Sequence, residues 1–188
     1  MPFSSGVERA LRASIAAHTG QSRKGQPDLP YIVHPVHVAM MLARLGADDE
    51  TIQAGLLHDV VEDCEGWTLA RIEAQFGARV RAIVADLTEE QGRSWEERKL
   101  AGIEHAAHML PESATIKAVD KLHNLSSLLS DLRAADDPAQ VWSHFSRGAA
   151  ETIAMSARLV EALRARVDPR LADSLARVLD GLRAASRV

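Results

Sequence analysis

The segment Leu56-Leu57-His58-Asp59-Val60-Val61-Glu62-Asp63 holds one imidazole and three carboxylates in a short, otherwise apolar stretch. At 100° per residue, a helix over this segment gathers His58, Asp59, Glu62 and Asp63 within about 140° of arc. Neighbours three and four apart then have Cβ atoms about 5–6 Å from each other, and like charges at that spacing destabilise a helix. A divalent cation would neutralise the patch, with His58 and Asp59 as ligands and Glu62 and Asp63, one turn later, facing its water. The competing reading is a solvated acidic helix end with an isolated histidine. Leu56, Leu57, Val60 and Val61 speak for a buried segment instead, where unpaired charge costs several kcal/mol.

An adjacent His–Asp pair does not fill a coordination sphere. Tyr31-Ile32-Val33-His34-Pro35 offers a second imidazole at a helix start, and Lys117-Ala118-Val119-Asp120-Lys121-Leu122-His123-Asn124 offers a further acid inside an apolar helix. Taken alone, His34 reads as a capping or core histidine and Asp120 as half of a buried Asp–Lys pair. Among the other histidines, His18 falls on the apolar face of the first helix and reads as structural. His123 reads as a packing group. His144, near Trp142 and Phe145, is a weaker candidate for lining a pocket.

These groups need elements to hold them, and the chain reads as helical nearly throughout. Ser5-Gly6-Val7-Glu8 has the capping-box pattern, followed by Val7, Leu11, Ile15 and His18 at helical spacing. Gly20, Gly25, Pro27 and Pro30 make residues 20–33 a loop, which carries Arg23 and Lys24. Pro35 suits the first position of a second helix, with Gly46 at its end. A third is expected to start at Asp48 and Asp49 and run through Ile52, Leu56 and Val60. Shorter helices are expected from Thr68 to Phe76 and from Ala78 to about Thr88. Ser94-Trp95-Glu96-Glu97 is a second capping-box pattern, opening a helix that ends before Pro111. A long helix follows with Leu122, Leu125 and Leu129 on one face. Asp137-Pro138 and Asp168-Pro169 each start another. No sheet is expected, since alternation of apolar and polar residues is absent over any useful length. The fold class is all-α.

The length of 188 residues suits one domain of residues 1–188, with a core of about 7–165 and a C-terminal helix at 169–186. With 46% hydrophobic and 26% charged residues, the chain is not intrinsically disordered. Its one cysteine, Cys64, excludes an intramolecular disulfide and a cysteine-based zinc site. No apolar run reaches the roughly 18–20 residues of a membrane span, and Glu8, Arg9 and Arg12 interrupt any signal peptide. A cytoplasmic protein is expected. The net charge of −4 argues against nucleic acid as a partner, while a few local cations suffice for a small anionic ligand.

The order His34 … His58-Asp59 … Asp120 resembles the signature of HD-domain metal-dependent phosphohydrolases. The fuller likeness is to the hydrolase domain of RelA/SpoT-type enzymes and to the single-domain small alarmone hydrolases. It is carried by Gln21-Ser22-Arg23-Lys24, Pro30-Tyr31-Ile32-Val33-His34-Pro35, Leu56 to Asp63, Phe76-Gly77-Ala78-Arg79-Val80 and Asp120 to Asn124, all in the family's order. The resemblance implies an HD-domain helical bundle in which His34, His58, Asp59 and Asp120 ligate one metal, usually Mn²⁺. Glu62 and Asp63 would be the catalytic carboxylates. Arg23 and Lys24 would hold the nucleotide and its phosphates, Asn124 would contact the sugar, and Ser127 would offer a nearby hydroxyl. The implied reaction removes the 3′-pyrophosphate of guanosine tetra- or pentaphosphate. Two imidazoles and two carboxylates also suit Fe²⁺ or Zn²⁺. Other HD phosphohydrolase substrates, NADPH or 3′-phosphorylated nucleotides, and a catalytically dead nucleotide-binding module are the alternatives. Departures from the family pattern are Cys64 in place of a usual Thr, Ser126 in place of a common Arg, and Glu89-Glu90 where the long RelA/SpoT proteins often carry Lys. The sequence past Asn124 lacks the continuation leading into a synthetase domain, so a stand-alone hydrolase is expected.

Overall fold

Ser4, in extended conformation, accepts a hydrogen bond from the Val7 amide at 3.3 Å and opens α1 (Ser5–Ala17). The expected cap was Ser5. That residue is already helical, and Glu8 pairs with Arg12 at 2.7 Å on the exposed face instead of closing a box. Ala10, Ser14 and His18 are the buried positions here, whereas Ile15 is exposed. The computed structural model describes residues 3–90 and 92–186. The chain divides into two compact units, residues 1–91 and 92–188.

In the first unit the segment read as a loop forms a small antiparallel hairpin, β1 (Ser22–Arg23) and β2 (Gln26–Pro30). Arg23 faces Gln26 across a Lys24-Gly25 turn, with Gly25 at φ 76°. Such short strands leave no alternation to read. Pro27 and Pro30, which have no amide hydrogen, also argue against a strand. Elsewhere among the described residues the regular secondary structure is helical, as the all-α reading expected.

α2 (Val33–Arg44) starts two residues before Pro35, whose ring is tolerated in the first turn. α3 (Asp49–Leu57) is the centre of this unit. It packs against α1, α2 and α6 (Ala78–Leu87), and its residues 51–57 are all buried. Gly55 costs about 1 kcal/mol in a helix interior relative to alanine. Here a Cβ would fall on Leu42 of α2, so glycine is what allows the two helices to approach. The expected continuous helix through Val60 is interrupted: His58 and Asp59 form a turn, and α4 (Val60–Asp63) follows. α5 (Leu69–Phe76), capped by Thr68, meets α6 at Gly77, which adopts φ 92°.

Asp48 caps α3, accepting from the Thr51 amide at 2.8 Å, and Arg79 of α6 bridges Asp48 and Glu50 at 2.8 Å each. The Arg79 guanidinium holds the Asp48 carboxyl down at about 2, from an ordinary 3.8. A lowered carboxylate stabilises the fold fully above its unfolded pKa and loses that contribution as pH falls through its folded pKa. The pair is exposed, so Asp48→Ala should cost about 1 kcal/mol at pH 7, mainly through the lost cap. Denaturant melts should show the gap between variant and parent narrowing by about half at pH 3. A gap constant from pH 7 to 3 would rule this linkage out.

The second unit comprises α7 (Trp95–Ala106), α8 (Pro111–Ala134), α9 (Pro138–Trp142), α10 (Gly148–Leu163) and α11 (Pro169–Ser186). The Ser94 box is complete: its hydroxyl accepts from the Glu97 amide at 3.2 Å, and the Glu97 carboxylate accepts from the Ser94 amide at 2.8 Å. α8 packs on α11; Leu125, Leu128, Leu129 and Leu132 are buried on α8, and Leu171, Leu175, Val178 and Leu182 on α11. Each fully buried leucine contributes about 1.5–3 kcal/mol. Leu122, expected on this stripe, is only partly buried. Among the described residues no helix is long and apolar enough to cross a membrane.

Candidate metal centre

The close approach of α2 and α3 brings together one side chain from the first turn of α2 and two from the α3–α4 turn. His34 Nε2 lies 3.3 Å from His58 Nε2 and 3.5 Å from Asp59 Oδ2, and His58 Nε2 lies 3.1 Å from the same Oδ2. Both imidazoles are buried, while Asp59 reaches solvent with about a fifth of its side-chain surface.

Proton accounting shows what this trio suits. His58 Nδ1 sits 2.8 Å from the Gly55 carbonyl oxygen, which only accepts, so Nδ1 carries the hydrogen. In the neutral ring Nε2 is then a bare lone pair, aimed at a carboxylate oxygen that has no hydrogen to give. Asp59 Oδ2 already accepts from the Tyr31 hydroxyl at 2.5 Å. Lone pairs about 3 Å apart repel unless a proton or a metal cation lies between them. Orienting a ligating imidazole through a backbone carbonyl on its far nitrogen is the usual device of histidine metal sites. The donor set therefore fits a divalent metal, and its mix of nitrogen and oxygen suits a borderline or hard cation.

Glu62 and Asp63 follow on α4. Glu62 Oε1 accepts from the Glu89 amide at 2.6 Å, which ties the carboxylate to the segment after α6. Asp63 is pushed above the ordinary carboxylate range, first by crowding of its carboxyl against protein atoms and then by the Asp59 charge. Its side chain keeps contact with solvent even so.

The hairpin adds positive charge beside this cluster. The Arg23 guanidinium lies 5.4 Å from the Tyr31 ring centre, close enough for a cation–π contact. Partial burial lowers the Lys24 ammonium below its ordinary value. Behind the hairpin, Gln21 accepts from His18 Nδ1 at 2.7 Å and donates to the Asp63 carbonyl at 2.7 Å. The Cys64 thiol packs 3.4 Å from the same imidazole nitrogen. His18 is buried, as its place on the apolar face predicted. Tyr31 and Gln21 were not singled out from the sequence. Their only signal there is that they lie inside the motifs flanking Arg23 and His34, because their contacts reach across 28 and 42 residues.

In the second unit, Asp120 and Asn124 stand one turn apart on α8. The Asn124 amide donates to Asp120 Oδ1 at 2.5 Å. Ser127, partly buried, lies on the same helix face by its spacing of seven from Asp120. His123 is buried, in keeping with a packing role, and His144 is exposed.

A family model described as HD domain matches residues 10–150. The chain belongs to the HD domain family. An HD domain implies a divalent metal, and the His34–His58–Asp59 trio is a donor set that could hold one. Among curated relatives, the protein from Danio rerio named guanosine-3′,5′-bis(diphosphate) 3′-pyrophosphohydrolase MESH1 is 41% identical over 113 residues. The alignment covers 59% of this chain and 62% of that protein. The protein of the same name from Xenopus tropicalis is 42% identical over 124 residues, covering 65% of this chain and 69% of that one. The HD domain protein thus spans about two thirds of the length of these relatives. A solved structure described as a metazoan ortholog of SpoT that hydrolyzes ppGpp and plays a role in starvation responses matches with a TM-score of 0.80 and 26% identity. It covers 96% of this chain and 97% of its own.

Proposed function

We propose that this HD domain protein is a metal-dependent 3′-pyrophosphohydrolase acting on guanosine 3′,5′-bis(diphosphate) and its pentaphosphate, with water, to give GDP or GTP plus pyrophosphate. The observation that carries the reading is the convergence of nitrogen and oxygen donor atoms of His34, His58 and Asp59 to within 3.1–3.5 Å of one another, with two more carboxylates on the next turn. The activities named for these relatives support it.

In this reading Asp120 completes the ligand set, and Asn124 holds that carboxylate as well as meeting the nucleotide sugar, with Ser127 beside it. Mn²⁺ is favoured by the share of carboxylates. When bound, the cation supplies an acidified water and an electrophilic pull on the phosphate. Glu62, anchored through one oxygen, accepts the proton of the attacking water, with Asp63 helping to orient it. Arg23 and Lys24 neutralise the phosphates, which lets a protein of net charge −4 take so anionic a substrate. The family match crosses the boundary at residues 91 and 92, so we read the two units as one hydrolase domain. The single free, buried cysteine suits a reducing, cytoplasmic setting.

The test is turnover of Mn²⁺-loaded protein on ppGpp, NADPH and a 3′-nucleotide in parallel. GDP and pyrophosphate should appear in equal amounts, with ppGpp preferred by at least about tenfold in kcat/KM, or about 1.4 kcal/mol of transition-state binding. Faster phosphate release from NADPH would move the assignment to the wider HD phosphohydrolases. Absence of turnover on all three would leave a binding module.

A further inference from the structure

We propose that Tyr31 is a positioning residue for the metal ligand Asp59, fixing which carboxylate oxygen, and which lone pair of it, faces the cation. The inference rests on the metal-centre reading above. The Tyr31 hydroxyl donates to Asp59 Oδ2 at 2.5 Å, and that same oxygen faces Nε2 of both His34 and His58. A carboxylate oxygen has two in-plane lone pairs. One is engaged by the phenol, and the same oxygen also meets both imidazole nitrogens. Without the phenol, the Asp59 carboxylate is free to turn about its last torsion, which is broad for aspartate.

The phenol is itself held on several sides. Its ring lies 4.7 Å from that of His18, tilted by 36°, and meets His34 edge-on at 5.7 Å, with the Arg23 guanidinium 5.4 Å from the ring centre. Its amide donates to the Gln21 carbonyl at 2.9 Å, and its carbonyl accepts from the His34 amide at 2.9 Å. His18 is fixed in turn by the Gln21 side chain at 2.7 Å. One residue thus ties the hairpin, the start of α2 and the turn before α4 to a single ligand oxygen. A neutral donor does this without adding charge to the centre.

Tyr31→Phe keeps the ring contacts and removes the hydroxyl. Mn²⁺ affinity, measured by competition with a chelating dye, should fall by roughly 10–100-fold, the range for losing a hydrogen bond to a metal ligand. The melting midpoint of the metal-free protein should stay within about 2 °C of the parent. Affinity within about threefold of the parent would overturn the proposal. So would a metal-free midpoint lowered by about 8 °C or more, which would assign the hydroxyl to stability. Parent protein that takes up no Mn²⁺ would instead overturn the metal centre itself, and that result is distinct from either of these.

Discussion

Asp59→Ala should abolish stoichiometric metal binding and turnover together. Asp59 Oδ2 lies within 3.5 Å of both imidazole nitrogens, so its removal deletes the one anionic donor of the trio. Partners one shell further out are worth roughly 10–100-fold in metal affinity, and a direct ligand should exceed roughly 100-fold. The readout is not confined to activity. A ligand present at a hundred times its Kd stabilises the native state by about 2.7 kcal/mol, or about 5–10 °C of melting midpoint for a chain of this size. The parent should show that rise on adding Mn²⁺ and the variant should not. Metal-free stability should fall by no more than about 1.5 kcal/mol, the worth of the lost hydrogen bond from the Tyr31 hydroxyl. A variant that still melts higher with Mn²⁺ would take Asp59 out of the ligand set.

Glu62→Gln should keep the metal and cut turnover by roughly 10²–10⁴-fold, the usual worth of a general base. Glutamine is the informative replacement, since its amide oxygen can still accept from the Glu89 amide that Glu62 Oε1 meets at 2.6 Å. The side chain therefore keeps its anchor and loses only its basicity. The Mn²⁺-induced rise in melting midpoint should remain. Near-parental turnover would show that water loses its proton to another group. Loss of the metal response would show that Glu62 acts on the centre's assembly.

What was legible in the sequence followed from how local each determinant is. The Ser94 box lies within four consecutive residues and is realised in full. The first cap was read one residue late because Ser4 and Ser5 are chemically alike, and only the extended backbone at Ser4 decides between them. The hairpin escaped notice because its strands are too short for a period of two to register, and their ladder rests on backbone bonds. The turn at His58 and Asp59 escaped because the apolar spacing from Leu56 to Val60 continues across it; a helical wheel cannot see the break.

At the site, the histidines and acids were visible as residue types in order, and His34, His58 and Asp59 do converge. Their supports were not visible. The hydroxyl of Tyr31 and the amide of Gln21 act over sequence separations that no periodicity encodes. The orientation of His58 depends on a carbonyl freed where α3 ends.

The partner of Glu62 is a main-chain amide, the nitrogen of Glu89. No exchange of side chain at position 89 removes that donor, with proline the sole exception. The glutamate found where long RelA/SpoT proteins often carry lysine thus sets the local charge without its side chain supplying this hydrogen bond. Position 89 acts on the potential around Asp63 through its side chain while its main chain holds the Glu62 carboxylate.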